Sequence, residues 1–126
     1  MLALLLAASV AASCPLASEK PMIEAQLFFG RDIAGRAPVS DKEWTDFVAA
    51  VLARDFPDGF TVSDGNGEWR DPVFNAVVRE QTKIVVIATA PSPDFAKRLQ
   101  DVTDAYRARF HQQSVGVITQ DVCASF

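Results

Sequence analysis

Apolar and polar residues alternate from Met22 to Gly30, with Ile23, Ala25, Leu27 and Phe29 on one side and Glu24 and Gln26 on the other. A period of two predicts a strand with one buried face. A Gly/Pro loop follows, Arg31 to Val39. The sequence SDKE, Ser40 to Glu43, then has the form of a capping box, and Trp44, Phe47, Val48, Val51 and Leu52 recur at helical spacing. That combination predicts an amphipathic helix ending before Pro57. The stretch FPDGFTVSDGNGEWRD, 56–71, reads as turn, short strand, glycine-rich turn and short strand, with Asp64-Gly65 and Asn66-Gly67 as the turn pairs. TKIVVIAT, 82–89, is apolar on both faces, Ile84 and Val86 on one and Val85 and Ile87 on the other, which predicts a buried strand. Ser92-Pro93 opens a second helix, with Phe95, Leu99, Val102, Tyr106 and Phe110 as its stripe. SVGVITQDVCASF, 114–126, closes as a last strand.

The order β, α, β-hairpin, β, α, β is that of the ferredoxin-like, split βαβ plan. The predicted fold is therefore an α+β sandwich: an antiparallel sheet, two helices on one face, and an extra hairpin between the second and third core strands. A single domain spans 22–126, after a short N-terminal segment, 13–21. In this topology the first and last strands are antiparallel neighbours.

The apolar run LALLLAASVAA, ahead of Ser13, is too short to span a bilayer and suits the h-region of a signal peptide, with cleavage after Ala12. Export to the periplasm or the medium follows. Cys14 and Cys123, the two cysteines, then have two readings. AASC before Pro15 resembles a lipobox, which would make Cys14 a lipid anchor. A Cys14–Cys123 disulfide uses both thiols, and the topology brings the start of the first strand beside the end of the last, so the disulfide is the favoured reading. A formal net charge of −4 argues against a phosphate-tracking nucleic-acid binder. One histidine, His111, gives no basis for a zinc site, and no cofactor motif is present.

Six ordered blocks together resemble a family of small bacterial exported proteins, domain-of-unknown-function family 3574. They are FFGR (28–31), VSDKEWTDF (39–47), FPDGFTVSDGNGEW (56–69), REQTKI (79–84), YRARFHQQSV (106–115) and CASF (123–126). The resemblance covers nearly the whole mature chain and implies no assigned activity. This chain departs from the pattern at RDPVFNAVV, 70–78, where a glycine-containing turn is expected and none occurs.

The candidate ligand-binding residues are Arg31, Trp69, Glu80, Tyr106 and Arg109. Arg31 follows a strand-end glycine and can meet an anion or pair with Asp32 or Glu80. Trp69 can stack on a ligand or close a hairpin against the core. Glu80, at the start of a buried strand, can act as acid or base or form a salt bridge. Tyr106 lies on the apolar stripe, and Arg107, Arg109 and His111 complement a helix C-terminus. No nucleophile pairs with His111, so the reading is a non-catalytic exported binding or interaction module. The alternative is a metal-free enzyme of the dimeric α/β-barrel type, and convergence of these residues on one cavity would favour it. Ile84 and Val86 cannot share a face with Val85 and Ile87. The outer sheet face is therefore expected to pair with a second copy of the chain.

Overall fold

The computed structural model describes residues 13–126; the segment read as a signal peptide, 1–12, lies outside the described residues. The elements are β1 (Lys20–Gly30), α1 (Asp41–Phe47), a π-helical turn (Val48–Leu52), α2 (Ala53–Asp55), β2 (Thr61–Arg70), β3 (Val77–Thr89), α3 (Phe95–Phe110) and β4 (Gly116–Ala124). The four strands form one antiparallel sheet in the order β2-β3-β1-β4. The chain is thus α+β, with the helices on one face of the sheet.

Alternation sorts β1 as expected. Ala25, Leu27 and Phe29 are buried with Val85 and Ile87 of β3, and the helices lay Trp44, Phe47, Leu52, Val102, Tyr106 and Phe110 on the same core. Tyr106 is its centre, with ring centroids 4.8 Å from Phe29 and 5.1 Å from Phe47. Fully burying each such ring is worth roughly 1.5–3 kcal/mol. At the start of α1 the capping box is present: Ser40 Oγ accepts from Glu43 N at 3.1 Å, and Ser40 N donates to Glu43 Oε1 at 3.1 Å. The second helix starts at Phe95, two residues later than expected, because Ser92 donates its hydroxyl to Asp94 instead of capping the helix.

The extra hairpin does not exist. Residues 61–70 form one continuous strand, with Asp64 opposite Lys83 and Gly67 opposite Glu80. Gly65 and Gly67 do not have positive φ. They are strand glycines for a packing reason: a Cβ at Gly65 would lie 2.8 Å from Ile84 Cδ1, and one at Gly67 would lie 2.6 Å from Thr82 Oγ1. The true reversal is at 71–76, where Asn75 takes the left-handed conformation at φ 50° in place of the expected glycine. Asp71 Oδ1 accepts from the Val73 and Phe74 amides to close the turn.

Cys14 and Cys123 form a disulfide with Cα atoms 5.6 Å apart and a sequence separation of 109. Such a long closed loop is worth about 4–5 kcal/mol in the chain-entropy description. Among the described residues no helix is long and apolar enough to cross a membrane.

Candidate functional site

The site is built at the end of β1, where the chain leaves the sheet. Gly30 is the last residue of β1 and faces Thr82 on β3. Tyr106, wholly buried, donates its hydroxyl to the Gly30 carbonyl at 2.7 Å, which fixes the strand end from the core side. Burial pushes the Tyr106 hydroxyl pKa up, and the Glu80 carboxylate adds to the rise, so the phenol stays a donor. On the other side of the sheet Glu80 lies over Gly30. A Cβ there would be 2.5 Å from Glu80 Oε1. Only glycine leaves room for that carboxylate.

Two N–H groups hold the carboxylate. The Trp69 indole Nε1–H donates to Glu80 Oε1 at 3.0 Å, and the Asp32 amide donates to Oε2 at 2.9 Å. Each oxygen keeps an unused acceptor position. Gln112, just past the end of α3, donates its side-chain amide to the Asp32 carbonyl at 2.7 Å and ties the helix end to the same loop.

Around these residues lies a hollow of about 460 Å³, within the range of small-molecule sites. Phe28, Trp69 and Val78 supply its apolar wall, Gly30, Gly67 and Gly116 keep parts of it open, and His111 and Gln112 stand at the helix end. Asp32, Glu68, Asp71 and Glu80 line it, and among the described residues no lysine or arginine does. Glu68 turns its carboxylate to the helix side of the sheet, where it pairs with Arg79 at 2.6 Å, and Asp71 Oδ1 is taken by the Val73 and Phe74 amides, so the acceptors facing the hollow are those of Glu80 and Asp32. The hollow therefore offers carboxylate acceptors beside aromatic surface, an arrangement suited to a cation carrying a flat ring. A larger, more open groove of about 690 Å³ between α3 and β4 has Asp121 as its one charged lining residue and none of the candidates.

Of the five candidates, the fold brings together Trp69 and Glu80. Trp69 does not close against the core; it stands 38 % exposed on the outer sheet face. Glu80 lies inside β3, since that strand begins at Val77, earlier than expected. Arg31 turns away: it donates to the Val39 carbonyl at 2.6 and 2.8 Å and to Asp41 Oδ1 at 2.8 Å, so its partner is Asp41 and neither Asp32 nor Glu80. Tyr106 acts from beneath, through Gly30. Arg109 is exposed on α3 with its guanidinium 5.6 Å from the Phe110 ring centroid. Phe28, Gly30 and Asp32 were missed. The available signal was FFGRD itself, a strand-ending glycine with an aromatic two residues before it and an acid two residues after it.

No curated protein matches the chain. Among solved structures it is similar to a phage SAM lyase in complex with S-methyl-5'-thioadenosine, with a TM-score of 0.67 at 17% identity over 83% of this chain and 90% of that one. It is also similar to CutA from Synechococcus elongatus, with a TM-score of 0.53 at 8% identity over 86% of this chain and 81% of that one. These likenesses are of fold. The sequence model for the protein family of unknown function DUF3574 matches residues 24–126, and the chain belongs to that family.

Proposed function

We propose that this chain is an exported, single-domain binding protein of ferredoxin-like, split βαβ plan, and that its ligand site is the hollow over Gly30. One observation carries the reading: Glu80 is held by the Trp69 indole and the Asp32 amide at the wall of a hollow of ligand size. Carboxylates without a lysine or arginine among the lining residues favour a cationic ligand, and Trp69 and Phe28 favour one with a flat ring. The disulfide and the absence of a spanning helix among the described residues support a periplasmic or extracellular location for the processed chain.

Thermal shift of the oxidised protein tests this. The panel pairs cationic with neutral ring compounds and includes SAM and S-methyl-5'-thioadenosine, the chemistry named for the phage lyase of similar fold. A true ligand at about a hundred times its Kd stabilises by about 2.7 kcal/mol. The expected pattern is stabilisation by cationic members, lost in Trp69→Ala and Glu80→Gln. Stabilisation unchanged by both substitutions would place the ligand elsewhere, and no stabilisation by any cationic member would refute the ligand class.

A second reading, a metal-free small enzyme, rests on the same Glu80, whose carboxylate keeps an acceptor position on each oxygen and can take a proton from a bound molecule. Turnover of a panel compound that is lost in Glu80→Gln while binding persists would select it.

A further inference from the structure

The sheet carries its charges on an unexpected face. Where helices cover one side of an antiparallel sheet, the other side normally meets water and is polar. The β2–β3 ribbon reverses this. Lys83 lies opposite the buried Phe29 and so points to the helix side, and from it the register places Asp64–Lys83, Asn66–Gln81 and Glu68–Arg79 on that side as a polar ladder. The ladder is bonded rung by rung: Lys83 to Asp64 at 2.6 Å, Gln81 to Asn66 at 2.9 Å and Arg79 to Glu68 at 2.6 Å. The outer face opposite holds Thr61, Ser63, Gly65, Gly67 and Trp69 from β2 with Val78, Glu80, Thr82, Ile84 and Val86 from β3, Glu80 being its one charge.

Across the sheet two adjacent outer rows contain no charge at all. One runs Thr61–Val86–Gln26–Ile118 and the next Ser63–Ile84–Phe28–Gly116. Ile118 is 53 % and Val86 36 % exposed. Four outer side chains also lie over a glycine of the neighbouring strand: Phe28 over Gly116, Ile84 over Gly65, Thr82 over Gly67 and Glu80 over Gly30. The glycines let these side chains lie down against the sheet, which leaves the face flat. The two outer carboxylates near this surface already have donors, Gln26 and Gln120 for Glu24 and Trp69 and Asp32 for Glu80.

We infer that this outer face is covered by the same face of a second copy of the chain, and that the partner closes the hollow over Gly30. A flat face with uncharged rows can meet its own copy without like-charge repulsion across those rows, as an isologous contact requires. Its size fits. Four strands about 4.8 Å apart, paired over about eight residues of about 3.4 Å, offer roughly 500 Å² per copy, so about 1,000 Å² is buried in all. That meets the approximate minimum for a specific contact, before the projecting β2–β3 ribbon is added. The hollow is continuous with the face, because Phe28, Thr82 and Gly116 belong to both. The closure rests on the hollow being the ligand site; the contact itself does not.

Sedimentation equilibrium of the oxidised exported protein, from about 1 to 200 μM, reads the contact, and acrylamide quenching of tryptophan reads the closure. Trp69 is 38 % exposed and Trp44 5 %, so the quenchable fraction reports Trp69. The expected result is a dimer whose quenchable fraction falls at least twofold as it forms. Ile118→Glu and Val86→Glu, each with wild-type circular dichroism, should raise dimer dissociation at least a hundredfold and restore quenching. A wild-type monomer throughout the range, or a dimer indifferent to both substitutions, would overturn the inference. A dimer with Trp69 quenching unchanged would overturn the closure. Failure here is distinct from failure of the ligand reading, since a monomer can still show the thermal shift that Glu80→Gln removes.

Discussion

Gly30 shows how one residue can serve two sides of a sheet. Its carbonyl accepts from Tyr106 in the core, and its missing Cβ admits the Glu80 carboxylate on the outer face. Gly30→Ala should therefore act on the site far more than on the fold. The clash falls on the end of a flexible side chain, which can swing away, so the stability change should stay within about 1 kcal/mol. Ligand-induced stabilisation should fall to the extent expected for Glu80→Gln, which comparative thermal melts would check. A second residue, Glu43, ties stability to pH. Its carboxyl pKa is lowered from 4.5 to about 2, chiefly by the hydrogen bond from Arg36 and then by the Ser40 amide. Because the folded value lies below the unfolded one, the stabilisation is fully present above about pH 4.5 and is lost as pH falls toward 2. Acid titration of stability should show a shallower fall across that window in Glu43→Gln than in the wild type. Parallel curves would contradict the assignment.

At the scale of elements, legibility followed how local the determining contacts are. The β1 alternation, the capping box and the α3 stripe depend on neighbours a few residues away, and each is where the sequence predicts it. The β2 strand was misread because Asp64-Gly65 and Asn66-Gly67 carry turn chemistry while the pressure for glycine comes from Ile84 and Thr82 on another strand. The real turn was hidden for the converse reason, since Asn75 supplies a conformation usually sought from glycine. The site followed the same rule. Trp69 and Glu80 were visible as residue types, yet their hydrogen bond depends on the β2–β3 register, which the false hairpin would have altered. Arg31 pairs with Asp41 because the loop folds back to bring Val39 and the start of α1 against it, a path no spacing rule encodes.

At the scale of the molecule, the helices and the core leave one face of the sheet uncovered, and on it two aromatic rings, a held carboxylate and a set of glycines line one hollow. The disulfide fixes the N-terminal segment to β4, at the opposite end of β1 from Gly30, so the cross-link and the candidate site occupy separate ends of the sheet. Under the proposed function, small cationic ring compounds bind over Gly30 against Trp69 and Glu80. The two tryptophans make it directly testable, because Trp44 is buried in the core and Trp69 donates its indole N–H to Glu80. In a ¹⁵N–¹H correlation spectrum of the oxidised protein, titration with the cationic compounds that raise its melting temperature should move the Trp69 indole resonance saturably and leave that of Trp44 in place. A saturating titration that leaves the Trp69 indole unmoved would contradict the account.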